Sequence, residues 1–334
     1  MAEIPFERLM AAIEATRGTA AGAPTHLIHL GGTVKPVKSV RRPVERRGTL
    51  ARNYRSVVTR RGNEWETEEE AIDTNIAPFI LNTVVAGNVT SPTTPGGATN
   101  ARLWTFLRSI TADDIEALTL WFGDPNVQTF RAAYCMADEL SITSDASDEE
   151  GVVVFTLKGM GGQVTRVSNP TVPASIAGVM LPSQMMEVFI DTNPANIGTT
   201  ALVTRVISVE HTIPTGVTYK HTGGGATSTL AHSNTGREQI APTTKLVLEM
   251  PDTDEYELFE NHTLLACRVR HNGALIEAGF NHFLEVDIYG EFETLEWGEN
   301  QGSNRTLEVT ITGQVDPTLG TDLAMRVQNA RTGL

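Results

Sequence analysis

Beyond Ala117, apolar residues recur at every second position in run after run, the period of half-buried strands. Leu118, Leu120 and Phe122 alternate up to Gly123-Asp124-Pro125, which predicts a turn, and a second strand follows over 129–136. Leu140 and Ile142 alternate next, and an acidic loop at 145–151 leads to a returning strand at 152–157. Residues 160–183 are rich in Gly, Ser and Pro and read as a linker. In the second half, strands are expected at 187–191, 203–213, 245–249, 264–270, 282–288, 291–297 and 307–312. A long polar loop is expected at 216–242, and turns at Asn272-Gly273 and 300–303.

Helical spacing is confined to three short stretches. Phe6, Leu9, Met10 and Ile13 predict a helix over 4–16, stopped by Gly18. Asp73 or Thr74 caps a second over 73–85, with Ile76, Phe79, Ile80 and Val84 on one face and Pro78 in its first turn. An acidic first turn, suited to the helix dipole, opens a third over 252–261.

The two halves share an order of elements: strands, a short helix and two hairpins. Their last hairpins superimpose, with Tyr134, Leu140 and Ile142 on Tyr289, Leu295 and Trp297, and Val153, Phe155 and Leu157 on Leu307, Val309 and Ile311. The chain is therefore expected to be mainly β. It divides into an N-terminal arm or helix (1–24), a first β domain (25–165), a linker (166–184) and a second β domain (185–334).

Composition narrows the functional classes. The 334 residues carry a net charge of −14, which argues against a protein that grips nucleic acid through its overall field. Two cysteines, Cys135 and Cys267, both in apparent strands, fit buried thiols and no disulfide framework. No apolar run is long enough to cross a membrane as a helix, and the N-terminus lacks a signal-peptide core.

Catalytic and metal motifs are missing. The eight histidines form no H-E-x-x-H pair. His221-Thr222-Gly223-Gly224-Gly225 has neither a nucleophile elbow nor a following G-K-[ST]. Asp145, Asp148, Glu149 and Glu150 lack the order of a calcium loop and read as a solvated hairpin tip. No enzyme activity, metal or cofactor is expected.

Charge is segregated, however. Residues 35–61 hold Lys35, Lys38, Arg41, Arg42, Arg46, Arg47, Arg52, Arg55, Arg60 and Arg61 against Glu45 alone, and Glu64, Glu66, Glu68, Glu69 and Glu70 follow at once. Nucleic-acid binding is one reading of this arm, but no recognition motif and few aromatics accompany it. A contact with the acidic surface of another copy is the favoured reading, and a plain solvated loop the bland one.

These stretches resemble the tail tube proteins of long-tailed bacteriophages, the siphoviruses. The resemblance runs through AIEATRGTAAGAP (12–24), ERRGTLARNYRSVVTRRGNEWETEEEAIDTNIAPFILNTVVAG (45–87), DDIEALTLWFGDPNVQTFRAAYCMADELSIT (113–143) and VTRVISVEHTIPTG (203–216). It implies two tandem tube-like β-sandwich or β-barrel domains, each with one short flanking helix. Inner sheets would join edge to edge around a ring, and rings would stack into the hollow tube through which phage DNA passes into the host. The basic arm would contact the next ring, with Glu64 to Glu70 as possible partners. With two domains per chain, three chains would make a pseudo-hexameric ring. The implied partners are other copies, the tape measure, terminator and distal tail proteins, and DNA in transit, with no membrane. The implied location is the virion tail, assembled in the host cytoplasm. A capsid decoration or tail terminator protein, or a β-sandwich carbohydrate hydrolase, are the alternatives.

Overall fold

A computed structural model describes residues 8–45, 53–124, 126–176, 178–199, 201–202, 205–223, 230–249, 254–298 and 304–334. The first half contains β1 (Arg8–Ile13), β2 (His26–Ile28), β3 (Gly32–Arg41), β4 (Val57–Thr67), β5 (Glu70–Ala71), α1 (Ala77–Asn82), β6 (Arg102–Leu107), β7 (Leu118–Gly123), β8 (Thr129–Asp145), β9 (Val154–Gly161) and β10 (Val164–Val167). The second contains β11 (Met186–Asp191), β12 (Val206–Pro214), β13 (Val217–Lys220), β14 (Asn234–Arg237), β15 (Thr243–Glu249), α2 (Asp254–Glu260), β16 (Leu265–Glu277), β17 (Phe280–Trp297), β18 (Thr306–Gly313) and β19 (Leu323–Asn329).

Two long strands, β8 and β17, organise the molecule. Each begins in an outer sheet and bends into an inner one. The first part of β8 lies between β7 and β10, with β1 and β2 beyond β7. Its second part pairs with β9, and β4 and β3 extend that inner sheet. In the same way β17 lies first between β16 and β19, with β11 beyond β16, and then pairs with β18, followed by β15 and β12. A bulge interrupts β8 between Ala137 and Glu139, and β17 between Phe292 and Thr294. One extra residue sharpens the local twist, which lets one strand serve both layers.

The bulges align Leu140 with Leu295 and Ile142 with Trp297, as the sequence comparison had them. On the return strands the register differs from that comparison by two residues. Leu157 faces Leu140 while Val309 faces Leu295, so Phe155 corresponds to Leu307. A slide of two leaves every side chain on its own face, so the hydrophobic pattern does not detect it.

The halves share backbone and core. β8 pairs with β12 and β6 with β19, so strands of one half hydrogen-bond to strands of the other. Leu284, Val286, Met325 and Val327 pack in one cluster with Phe79, Trp104, Phe106 and Phe155. Every residue of α1 is buried, and its apolar side chains pack in this shared cluster. Pro78 fits because the first turn has no helical partner for its missing N–H. α2 lies outside, with Leu258 and Phe259 turned to the second core.

Several expectations are corrected. The stretch expected as helix 4–16 contains strand β1. Its Met10 and Ala12 pack with Trp121 on one face while Leu9 and Ala11 join the main core on the other. Burial on both faces removes the alternation and imitates helical spacing. The linker is shorter than expected, since β9 runs to Gly161 and β10 follows. Leu181 beyond it is fully buried in the first core. Asn272-Gly273 is not a turn, because β16 continues to Glu277 and a side chain at Gly273 would strike Leu181. The chain turns at Gly279 instead, where φ is +88°. The polar loop 216–242 holds the hairpin of β13 and β14.

Candidate assembly interface

The inner sheet is one antiparallel run in the order β3–β4–β9–β8–β12–β15–β18–β17. Alternation gives it two unlike faces. Trp65, Leu157, Leu140, Ile213, Leu246 and Val309 point into the core. The opposite face carries Glu64, Glu66, Glu139, Glu210, Glu296 and Glu308 among Ser141, Thr143, Thr156, Thr212, Thr243 and Thr310. Lys158 and Lys245 lie there too, each 2.6 Å from a carboxylate, Glu139 and Glu308 respectively. Those hydrogen bonds hold both ammonium groups above their ordinary pKa. Glutamate and threonine make this face negative and hydroxyl-lined.

Both outer strands of the run end in an open edge among the described residues. Backbone bonds fix which groups point outward. Glu68 N–H donates to Gly31 O (2.8 Å), so odd-numbered residues at the start of β3 bond to β4 and Val34, Pro36 and Lys38 face outward. Gly298 N–H donates to Thr306 O (3.1 Å), so even-numbered residues at the end of β17 bond to β18 and Leu295 and Trp297 face outward. Proline at position 36 has no N–H, which blunts that edge. Trp297 is 49% exposed, with the Arg305 guanidinium 4.6 Å from its ring centre.

The basic arm is the hairpin of β3 and β4. Lys35 stands opposite Glu64 and Thr33 opposite Glu66, so acid and base meet at its foot. Further out, Lys38 faces Arg61 and Ser39 faces Arg60, which concentrates like charge. Arg41 and Arg42 are exposed, Arg55 pairs with Glu45 at 2.7 Å, and Val44 and Val57 are 60% and 58% exposed. Arg46, Arg47 and Arg52 lie outside the described residues. Of the expected acidic partners, Glu64 and Glu66 are on β4 and Glu70 is on β5, with Glu68 and Glu69 between. Of these five, Glu64 is the one that stands opposite a basic residue of the arm in the described pairing.

A second hairpin, which the sequence reading missed, mirrors the arm. β12 and β15, continued by β13 and β14, match β3 and β4 even in the register shift after Ser39, since Val40–Val58 corresponds to Val217–Arg237. This hairpin folds over the seam. Tyr219 O–H donates to Asp138 Oδ1 and reaches Met136 O, both at 2.9 Å. His232 packs 4.3 Å from the Tyr134 ring and 4.9 Å from that of Tyr219. Burial raises the Asp138 pKa and lowers that of His232 to about 4, so the imidazole is neutral near pH 7. Arg61 N–H donates to Leu230 O, tying the two hairpins together. The alternation of Val217 and Tyr219 was the available signal.

Chemistry is sparse elsewhere. Among the described residues no group of three His, Cys, Asp or Glu could hold a metal, and no helix is long and apolar enough to cross a membrane. Cys135 and Cys267 are buried and free, and burial pushes both thiols well above their ordinary pKa, which makes them poor nucleophiles. Asp145 accepts hydrogen bonds from Ser147 N–H and Oγ–H, and Asp148 from Glu150 N–H, so these carboxylates close their own loop. Compared with known proteins, the chain matches no family model and no curated protein.

Proposed function

We propose that this chain is a major tail tube subunit of a long-tailed bacteriophage, a structural virion protein and not an enzyme. In this reading it comprises two tandem tube-like domains. The observation behind it is the seam at β8 and β12. One half already joins the other edge to edge and leaves a like pair of edges open at the two ends. Repeating that junction between chains closes a ring. Three copies would supply roughly 24 inner strands, more than the 16–18 at which barrels leave an aqueous channel.

The glutamate- and threonine-lined face turns inward in such a ring. DNA carries about one negative charge per 1.7 Å of axis, so an acidic lumen repels the duplex and lets it slide. The basic arm projects and contacts the next ring. Stacking is a head-to-tail contact, so it grows an open filament. The tape measure, terminator and distal tail proteins would be the further partners, and the virion tail the location, with assembly in the host cytoplasm. Electron microscopy of concentrated protein tests the reading. Hollow tubes with a regular axial repeat are expected, and compact monomers at every concentration would sink it.

A further inference from the structure

The seam inside the chain offers a residue-by-residue template for pairing at the two open edges. Across the first inner sheet, Lys35, Glu64, Met160 and Met136 stand in one row. Across the second, the matching row is Thr212, Thr243, Thr312 and Glu291. Each row ends two residues before the bulge residue, Asp138 or Glu293, so Lys35 corresponds to Thr212 and Leu295 to Leu140. In the internal seam Thr212 faces Ser141, Ile213 faces Leu140 and His211 faces Ile142. The bonds Thr215 N–H to Asp138 O and Ala146 N–H to Ile207 O, both 2.8 Å, place the odd-numbered residues of β12 toward β8. These are the counterparts of the outward-facing Val34, Pro36 and Lys38.

We infer that the open edge of β17 pairs antiparallel with the open edge of β3 of a second copy, with Glu296 opposite Lys35, Leu295 opposite Pro36 and Trp297 opposite Val34. The inference rests on the tube reading and adds its partner strand and register. Two features on the two edges agree with it. Lys35 and Glu296 meet as a non-hydrogen-bonded pair, where side chains are closest, and both project from the charged face. Trp297, half exposed at the edge, gains the apolar neighbour Val34 on the core side. A slip of two residues would set Lys35 against Thr294 and lose the ion pair. Pro36 costs the seam one hydrogen bond that Ile213 supplies internally.

Paired cysteines test the register. K35C and E296C sit at opposite ends of the inner run, so a disulfide between them must join two copies. On oxidation the K35C/E296C protein should give covalent species that stop at three copies and revert on reduction. The K35C/T294C protein, two residues out of register, should give at most about a tenth of that yield. Tubes in the microscope with equal or better cross-linking of K35C/T294C, or with none in either protein, overturn the register and leave the tube reading standing. Monomers without tubes or cross-links overturn both. K35E should abolish assembly and K35E/E296K should restore it. Undisturbed assembly of K35E removes the ion pair from the account.

Discussion

Acid should destabilise the fold through two buried histidines, one of them on the seam strand β12. His211 lies on β12, 1% exposed, with Nδ1 2.8 Å from Thr244 Oγ1. His271 on β16 is fully buried, and neither of its ring nitrogens has a hydrogen-bond partner among the described residues. Burial lowers the His211 pKa from 6.5 to about 3, helped by the charge of His271, and burial lowers that of His271 to about 4. Both folded values lie below the unfolded one. The unfolded chain therefore binds more protons, and stability is full above pH 6.5 and falls as pH drops toward the folded values. At 1.36 kcal/mol per pH unit, each histidine costs about 2 kcal/mol at pH 5, and the pair about 4 kcal/mol. Urea unfolding at pH 7.5 and pH 5 measures this in the wild type and in H211Q/H271L. The variant should lose less stability between the two pH values by about that amount. An equal loss in both proteins would refute the assignment of neutral buried imidazoles.

Two further outcomes follow from the same geometry. Ile213, 1% exposed, belongs to a second-half strand but packs in the first-half core, so Ile213→Ala should cost about 2–5 kcal/mol. Calorimetry should show one shared transition moving down, and a half that melts unchanged would contradict the common core. Replacing Arg41, Arg42, Arg46 and Arg47 with alanine should leave chemical stability within about 0.5 kcal/mol, as Arg41 and Arg42 are exposed, and shorten or abolish tubes. Normal tube length in that variant would remove the arm from ring stacking.

How much of this was legible in the sequence depended on how each strand is covered. Strands with one wet face, such as β12, β15 and β18, announced themselves by alternation. β1 and β19 are covered on both faces, so β1 read as a helix and β19, with six of seven residues buried, was missed. β8 and β17 were each cut in two because the bulge shifts the alternation midway along the strand. The arm's charge was plain in the composition. Its geometry was not, since the pairing of Lys35 with Glu64 and of Lys38 with Arg61 depends on hairpin register. The mirror hairpin lay hidden in a stretch whose glycines and threonines look like any polar loop.

The number of copies per ring decides whether both halves of the chain serve as ring units. Mass per unit length, measured by scanning transmission electron microscopy and divided by the axial repeat, gives it without assuming a symmetry. Three copies of the 36.2 kDa chain are expected in each ring. Six copies per ring would contradict this, because the second half could not then stand in for a tube domain.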